Sequence, residues 1–235
     1  MNRRGVFTKY PCGGYHKGGE AKKLAGPGMA YDQSAMLKLL RPAVTRILTP
    51  LGRALVRHGI GPNAVTAIGT LGTVVAALLF FPAGLLAAGA LVITVFVLFD
   101  LLDGVVARLG GGGGSTWGAF LDSTLDRVAD AAIFCGLILY FFAEGDVLMA
   151  SVTLFCLVAG ALVSYAKARA EGLGLTCDVG LAERPERLVV ALVASFLAGL
   201  GLPYVLAAGM WLLAAASAVT VVQRVVHVHR QTRER

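Results

Sequence analysis

The chain has 235 residues, 57% hydrophobic and only 15% charged, with a mean hydropathy of +0.74. That is far more apolar than a water-soluble domain of this length needs, so a soluble globular fold is excluded. The net charge of +7 comes from basic residues that flank apolar runs instead of alternating with exposed aromatics, which argues against nucleic-acid binding.

In chain order, residues 1–34 are polar and glycine-rich, carry several lysines, and hold no apolar run that would act as a signal peptide. They read as a disordered extension. Residues 35–58 place Leu37, Leu40, Val44, Ile47, Leu48, Leu51 and Leu55 on one helical stripe, with Lys38, Arg41, Arg46, Arg53 and Arg57 elsewhere. This pattern predicts an amphipathic helix lying in the membrane interface. Six apolar runs follow, at about 64–82, 84–108, 117–142, 147–171, 185–201 and 203–226, each close to the roughly 20 residues a helix needs to cross a bilayer. The expected architecture is therefore all-α and integral to the membrane: six transmembrane helices within residues 59–228, with a basic tail at 229–235.

Of 21 Lys and Arg, eleven precede the first run, and the connections FPAG (81–84), AEGD (143–146) and GLGLP (199–203) contain none. The positive-inside rule then predicts a multi-pass protein of the inner (plasma) membrane, with both termini and the polar chemistry on the cytoplasmic side. Cys12, Cys135, Cys156 and Cys177 are scattered singly, without zinc-ligand spacing.

The polar residues inside the apolar runs are concentrated in one stretch. Asp100 and Asp103 are i,i+3 neighbours near the end of the second run; Asp122 and Asp126 are i,i+4 neighbours near the start of the third. With a short loop between them, the two helices are expected to lie antiparallel and side by side, so that four carboxylates converge. Four anions in such a place repel unless cations neutralise them. All-carboxylate ligation selects hard ions, Mg²⁺ or Mn²⁺, and two divalent ions balance four charges. Two-metal sites clamp a phosphoryl group during in-line displacement. Gly104 would let a ligand approach the helix closely, and Arg108, one turn on, would pair with a diphosphate. The glycine run 110–114 with Ser115 and Thr116 offers backbone amides to a nucleotide, or is a plain linker.

The pattern Asp100-x-x-Asp103-Gly104-x-x-Ala107-Arg108, nine residues, then Gly118-x-x-x-Asp122-x-x-x-Asp126 resembles the signature of the CDP-alcohol phosphotransferases. The resemblance covers about residues 36–226. It implies a six-helix membrane enzyme that uses a CDP-linked donor and displaces CMP. It also implies that Asp100, Asp103, Asp122 and Asp126 are metal ligands, with Asp126 in addition the base for the attacking hydroxyl. Gly104, Arg108 and Ser115 or Thr116 would touch the CDP moiety. The segment Asn63-Ala64-Val65-Thr66 resembles the family's PNxxT element, which holds the cytidine end; Pro62 and Asn63 also suit simple helix initiation. Asp130, a helix turn further along and so deeper, reads as a support to the neighbouring site residues or as structural. Homodimers are usual in the family, so the resemblance carries a homodimer with it.

The acceptor is read from Ser164-Tyr165-x-Lys167-x-Arg169 and Glu183-Arg184-Pro185-Glu186-Arg187, together with Arg224. Lys167, Arg184, Arg187 and Arg224 would line one pocket for a phosphorylated acceptor, with the paired glutamates orienting the arginines. Snorkelling toward the interface is the alternative for Arg169 and Arg224. These two segments are similar to those of the actinobacterial phosphatidylinositol phosphate synthases, a branch whose reaction joins CDP-diacylglycerol to inositol 1-phosphate. Glycerol 3-phosphate is the alternative acceptor. A cation-transport path is a more remote reading, since only Glu144 and Asp146 lie toward the far side.

Overall fold

The computed structural model describes residues 57, 61–109 and 115–234, without the side chains of 99–109. The expected extension (1–34), nearly all of the expected interfacial helix (35–58) and the glycine run lie outside the described residues. Those described form six helices and no strand. They are α1 (Pro62–Phe80), α2 (Leu86–Leu109), α3 (Thr116–Ala143), α4 (Val147–Gly172), α5 (Arg184–Gly199) and α6 (Val205–Arg233). Boundaries fall within a few residues of the apolar runs, except that α6 continues past Val226 to Arg233. Nothing in QRVVHVHRQTR breaks a helix, so the backbone simply runs on.

Local chemistry sets the ends. Pro62 occupies the first turn of α1 and Pro185 that of α5, where a missing N–H costs nothing. Ser115 caps α3 by accepting from the Gly118 amide at 2.9 Å, and Asp146 caps α4 by accepting from the Met149 amide at 2.9 Å. Asp146 thus has a local task at the start of α4.

Among the described residues, α1 packs on α2 and α3, α2 on α5, α5 on α6, α6 on α4, and α4 on α3. The contacts close a cycle. The expected side-by-side pairing of the second and third runs is therefore replaced: each lies against α1, and the two are next-but-one neighbours around the cycle. Small residues allow these close approaches. A Cβ on Gly136 of α3 would lie 2.4 Å from the Ala77 carbonyl oxygen of α1, and one on Gly199 of α5 would lie 2.2 Å from the Ala87 nitrogen of α2. Inside, Phe81, Ile93, Ile133, Phe134, Leu137 and Met210 form the buried core. Outside, Leu71, Leu79, Leu148, Trp211, Leu212 and Val222 are more than half exposed, which suits lipid and not water. By length and composition α1, α4 and α6 are each able to cross a membrane. The α3 helix carries Asp122, Asp126, Arg127 and Asp130 within its first 15 of 28 residues, and α5, at 16 residues, is shorter than a straight span.

Candidate active site

Residues from the starts of α1 and α3 meet. A Cβ on Gly118 would sit 3.2 Å from Ser115 Oγ and 3.3 Å from Asn63 Oδ1, so Asn63, Ser115 and Gly118 share one small volume. Ser115 owes its place there to the capping bond. Thr116 opens α3 and is exposed, as is Ala64, whereas Val65 and Thr66 are buried, with the Thr66 hydroxyl donating to Pro62 O at 3.1 Å. Asp100, Asp103, Gly104 and Arg108 occupy the final turns of α2, and their side chains lie outside those described.

Asp122 and Asp126 lie one turn apart on α3. Arg184 Nη2 approaches Asp126 Oδ1 to 2.7 Å, and the same guanidinium places Nε 3.2 Å from Asp130 Oδ1. Among the described residues no three His, Cys, Asp or Glu side chains gather as a metal cluster. The other half of the expected set, Asp100 and Asp103, falls outside that search.

Lys167, Arg184, Arg187 and Arg224 all line one cavity of about 300 Å³, joined by Arg127. Each cation is held by its own protein partners. Arg187 is 2% exposed; its Nη1 donates to Ala182 O at 3.1 Å and its Nη2 to Asp130 Oδ2 at 3.2 Å. Gly160 of α4 makes room, since a Cβ there would lie 3.0 Å from Arg187 Nε. Arg224 is likewise 2% exposed; it donates to Val179 O at 2.8 Å, to Val163 O and to Glu183 Oε1 at 3.0 Å. It points inward and does not snorkel. Lys167 Nζ lies 2.5 Å from Asp178 Oδ1, and the Lys167 ammonium holds that carboxyl below the usual carboxylate range.

The expected pairing of Arg184 and Arg187 with the neighbouring glutamates is corrected here. Asp130 serves both arginines, and Glu183 serves Arg224. Side chains adjacent in sequence at a helix start diverge, while Asp130 faces both arginines from α3. Arg127 is the residue sequence reasoning passed over. Its Nη1 donates to Ser164 Oγ and lies 4.0 Å from Asp130 Oδ2. Its i,i+3 spacing to Asp130 was the available signal.

The connection 173–183 that carries α5 into place is fastened to α6. Gln231 exchanges hydrogen bonds with the Thr176 backbone at 3.1 and 2.6 Å, and Thr220 Oγ1 accepts from the Leu181 and Ala182 amides, each at 3.0 Å. Burial in this segment pushes the Cys177 thiol up. A second cavity of about 430 Å³ between α3 and α4 shares Arg127, Ser164 and Arg187 with the first, and its remaining wall includes Phe134 and Leu157. Charged groups thus border apolar space.

An all-helical membrane protein with paired carboxylates beside a cation-lined cavity has the parts of an enzyme acting on phosphorylated groups. The comparisons give the class. A model of the CDP-alcohol phosphatidyltransferase family matches residues 60–222. The chain belongs to this family and is a phospholipid-synthesising transferase. It is 49% identical over 209 residues to the phosphatidylinositol phosphate synthase of Streptomyces avermitilis, covering 85% of each chain. It is 48% identical over 190 residues to that of Mycobacterium tuberculosis, covering 79% of this chain and 87% of the relative. The crystal structure of the M. tuberculosis phosphatidylinositol phosphate synthase with CDP-DAG bound matches with a TM-score of 0.75 at 48% identity, over 78% of this chain and 94% of that one. The same protein in complex with manganese and citrate matches with a TM-score of 0.74 at 47% identity, over 77% and 88% of the two chains.

Proposed function

We propose that the protein transfers the phosphatidyl group of CDP-diacylglycerol to inositol 1-phosphate, releasing CMP and phosphatidylinositol phosphate. The observation that carries this reading is the cavity lined by Lys167, Arg184, Arg187 and Arg224, linked to Asp126 through Arg184 at 2.7 Å. A guanidinium has five N–H donors. The protein contacts of Arg187 and Arg224 use only some of them, so a phosphorylated acceptor still finds positive charge and donors. Apolar space beside the cations suits a reaction between a lipid-borne and a water-borne substrate.

Asp100, Asp103, Asp122 and Asp126 would hold divalent ions, two Mg²⁺ with Mn²⁺ as substitute. The donor set fits: hard oxygens only, with Asp126 already gripping a cation in the form of Arg184. When bound, the ions supply charge neutralisation at the donor diphosphate and at the departing CMP. The chain's own residues do the rest. The basic cavity anchors the acceptor phosphate and so orients its ring. The acceptor hydroxyl attacks the diacylglycerol-bearing phosphorus, its proton passes to Asp126, and the bond to CMP breaks. Asn63, Ala64, Val65, Thr66, Gly104, Arg108, Ser115 and Thr116 form the CDP end; the meeting of Asn63 with Ser115 and Gly118 supports that grouping.

The same reading has six helices spanning the inner membrane behind an interfacial helix, the site and both termini cytoplasmic, and the homodimeric state usual in the family. The apolar outer faces and the basic inner ends support it. The test supplies the full chain with CDP-diacylglycerol, inositol 1-phosphate and Mg²⁺ and measures CMP. Preference for glycerol 3-phosphate in direct competition would reassign the acceptor. Equal CMP release by wild type and Asp126→Asn would remove the mechanism.

A further inference from the structure

Asp130 lies one turn beyond the last motif carboxylate, is 8% exposed, and has no part in the transfer described so far. Three guanidinium groups surround it. Arg184 Nε stands 3.2 Å from Oδ1, Arg187 Nη2 stands 3.2 Å from Oδ2, and Arg127 Nη1 is 4.0 Å from Oδ2. All three arginines line the 300 Å³ cavity. A buried carboxylate installed for stability alone would be matched one to one, because each further buried cation carries its own desolvation cost. Here three guanidinium groups face two carboxylates, Asp130 and, through Arg184 at 2.7 Å, Asp126, and the surplus positive charge borders open space. An arriving dianionic phosphate is the chemistry that balances it.

The geometry of the arrangement is also fixed. Both oxygens of Asp130 are used, one per arginine, so the carboxylate plane sets both guanidinium planes. Arg187 lies against Gly160, which prevents it from backing away. Arg184 spans Asp130 and Asp126, so its tilt is determined at two points. Moving Asp130 would turn both arginines at once.

We propose that Asp130 is a positioning residue for the acceptor. It sets the Arg184 and Arg187 guanidinium groups so that the acceptor phosphate is received with its hydroxyl beside Asp126, and it touches no substrate itself. This rests on the reading above, and the experiment separates the two. Asp130→Asn keeps the size but replaces one acceptor oxygen with an amide that faces an N–H donor, so one arginine loses its anchor. Expected for the purified full chain with Mg²⁺ is a rise of about tenfold or more in KM for inositol 1-phosphate, with KM for CDP-diacylglycerol within about twofold. Calorimetric binding of inositol 1-phosphate alone weakens in parallel. Asp130→Glu, which retains the charge on a longer arm, falls between wild type and Asp130→Asn.

Equal shifts in both KM values, an unchanged acceptor KM, or Asp130→Glu no better than Asp130→Asn would overturn the proposal. If Asp130→Asn fails to fold, the Asp130→Glu KM ratio decides by the same criterion. If wild type ignores inositol 1-phosphate but uses glycerol 3-phosphate, the acceptor reading fails, and Asp130 is judged on KM for that second acceptor.

Discussion

Successive turns of α3 carry two carboxylates with contrasting surroundings. Asp126 reaches one described cation, Arg184, and its motif partners are its own helix neighbour Asp122 and the end of α2. Asp130, one turn deeper, is knitted to Arg184 and Arg187 across 54 and 57 residues of chain. On the proposed mechanism, the difference separates a reacting group from the frame that aims it. In the proposed reaction Asp126 takes a metal and a proton, whereas the frame around it is closed by hydrogen bonds from α4, α5 and α6.

The sharpest attack on that division is Asp126→Asn. It should lower CMP release by about 10²–10⁴-fold, the usual worth of a positioned general base, while thermal melting in detergent stays near wild type because Asp130 still holds Arg184. Retained activity would mean that the outer carboxylate is frame as well. Arg224→Leu probes the opposite side. It strands Glu183 and the carbonyls of Val163 and Val179. A loss of about 1–3 kcal/mol in stability is expected, as for leaving buried acceptors without a donor, read as a drop in melting temperature.

Gly160→Ala is subtler. Its methyl meets Arg187 Nε at 3.0 Å, so about 1–3 kcal/mol of overpacking strain is expected, with acceptor KM raised more than donor KM. The smallest effect belongs to Asp178→Asn. Asp178 is exposed and its carboxyl is held low by Lys167. A depressed folded pKa stabilises above the unfolded value of about 3.9 and is lost as pH falls through the folded one. The variant should therefore lose on the order of 0.2–1 kcal/mol at neutral pH and converge with wild type in acid, which melting curves from neutral pH to below pH 4 would resolve.

How much was legible follows from how local each feature is. Helix starts at Pro62 and Pro185 were readable because first-turn chemistry involves residues within a turn of each other. The caps at Ser115 and Asp146 were not read from the sequence and came only with the structure. The grouping of Lys167, Arg184 and Arg187 at one cavity was readable because these three sit near helix ends, whereas Arg224, expected at the end of the sixth run, lies well inside α6 and still reaches that cavity. Partner choice was not readable. Glu183 and Arg184 are adjacent in sequence, yet Glu183 pairs with Arg224, 41 residues away, because neighbouring side chains at a helix start diverge by about 100°. Nor did Arg127 stand out, since its contact with Ser164 links two helices whose facing angle no spacing fixes.

Composition and spacing by themselves determined an all-helical, membrane-embedded chain, the helices and their approximate limits, and the carboxylate motif. These depend on hydrophobic length and on a 3.6-residue repeat, both written along one strand of chain. Only the tertiary structure decided that α1 separates the second and third helices, that small residues such as Gly136 let it do so, and that Asp130 organises the arginines. Those outcomes turn on which face meets which neighbour, a packing choice that close contact settles and a linear pattern does not encode.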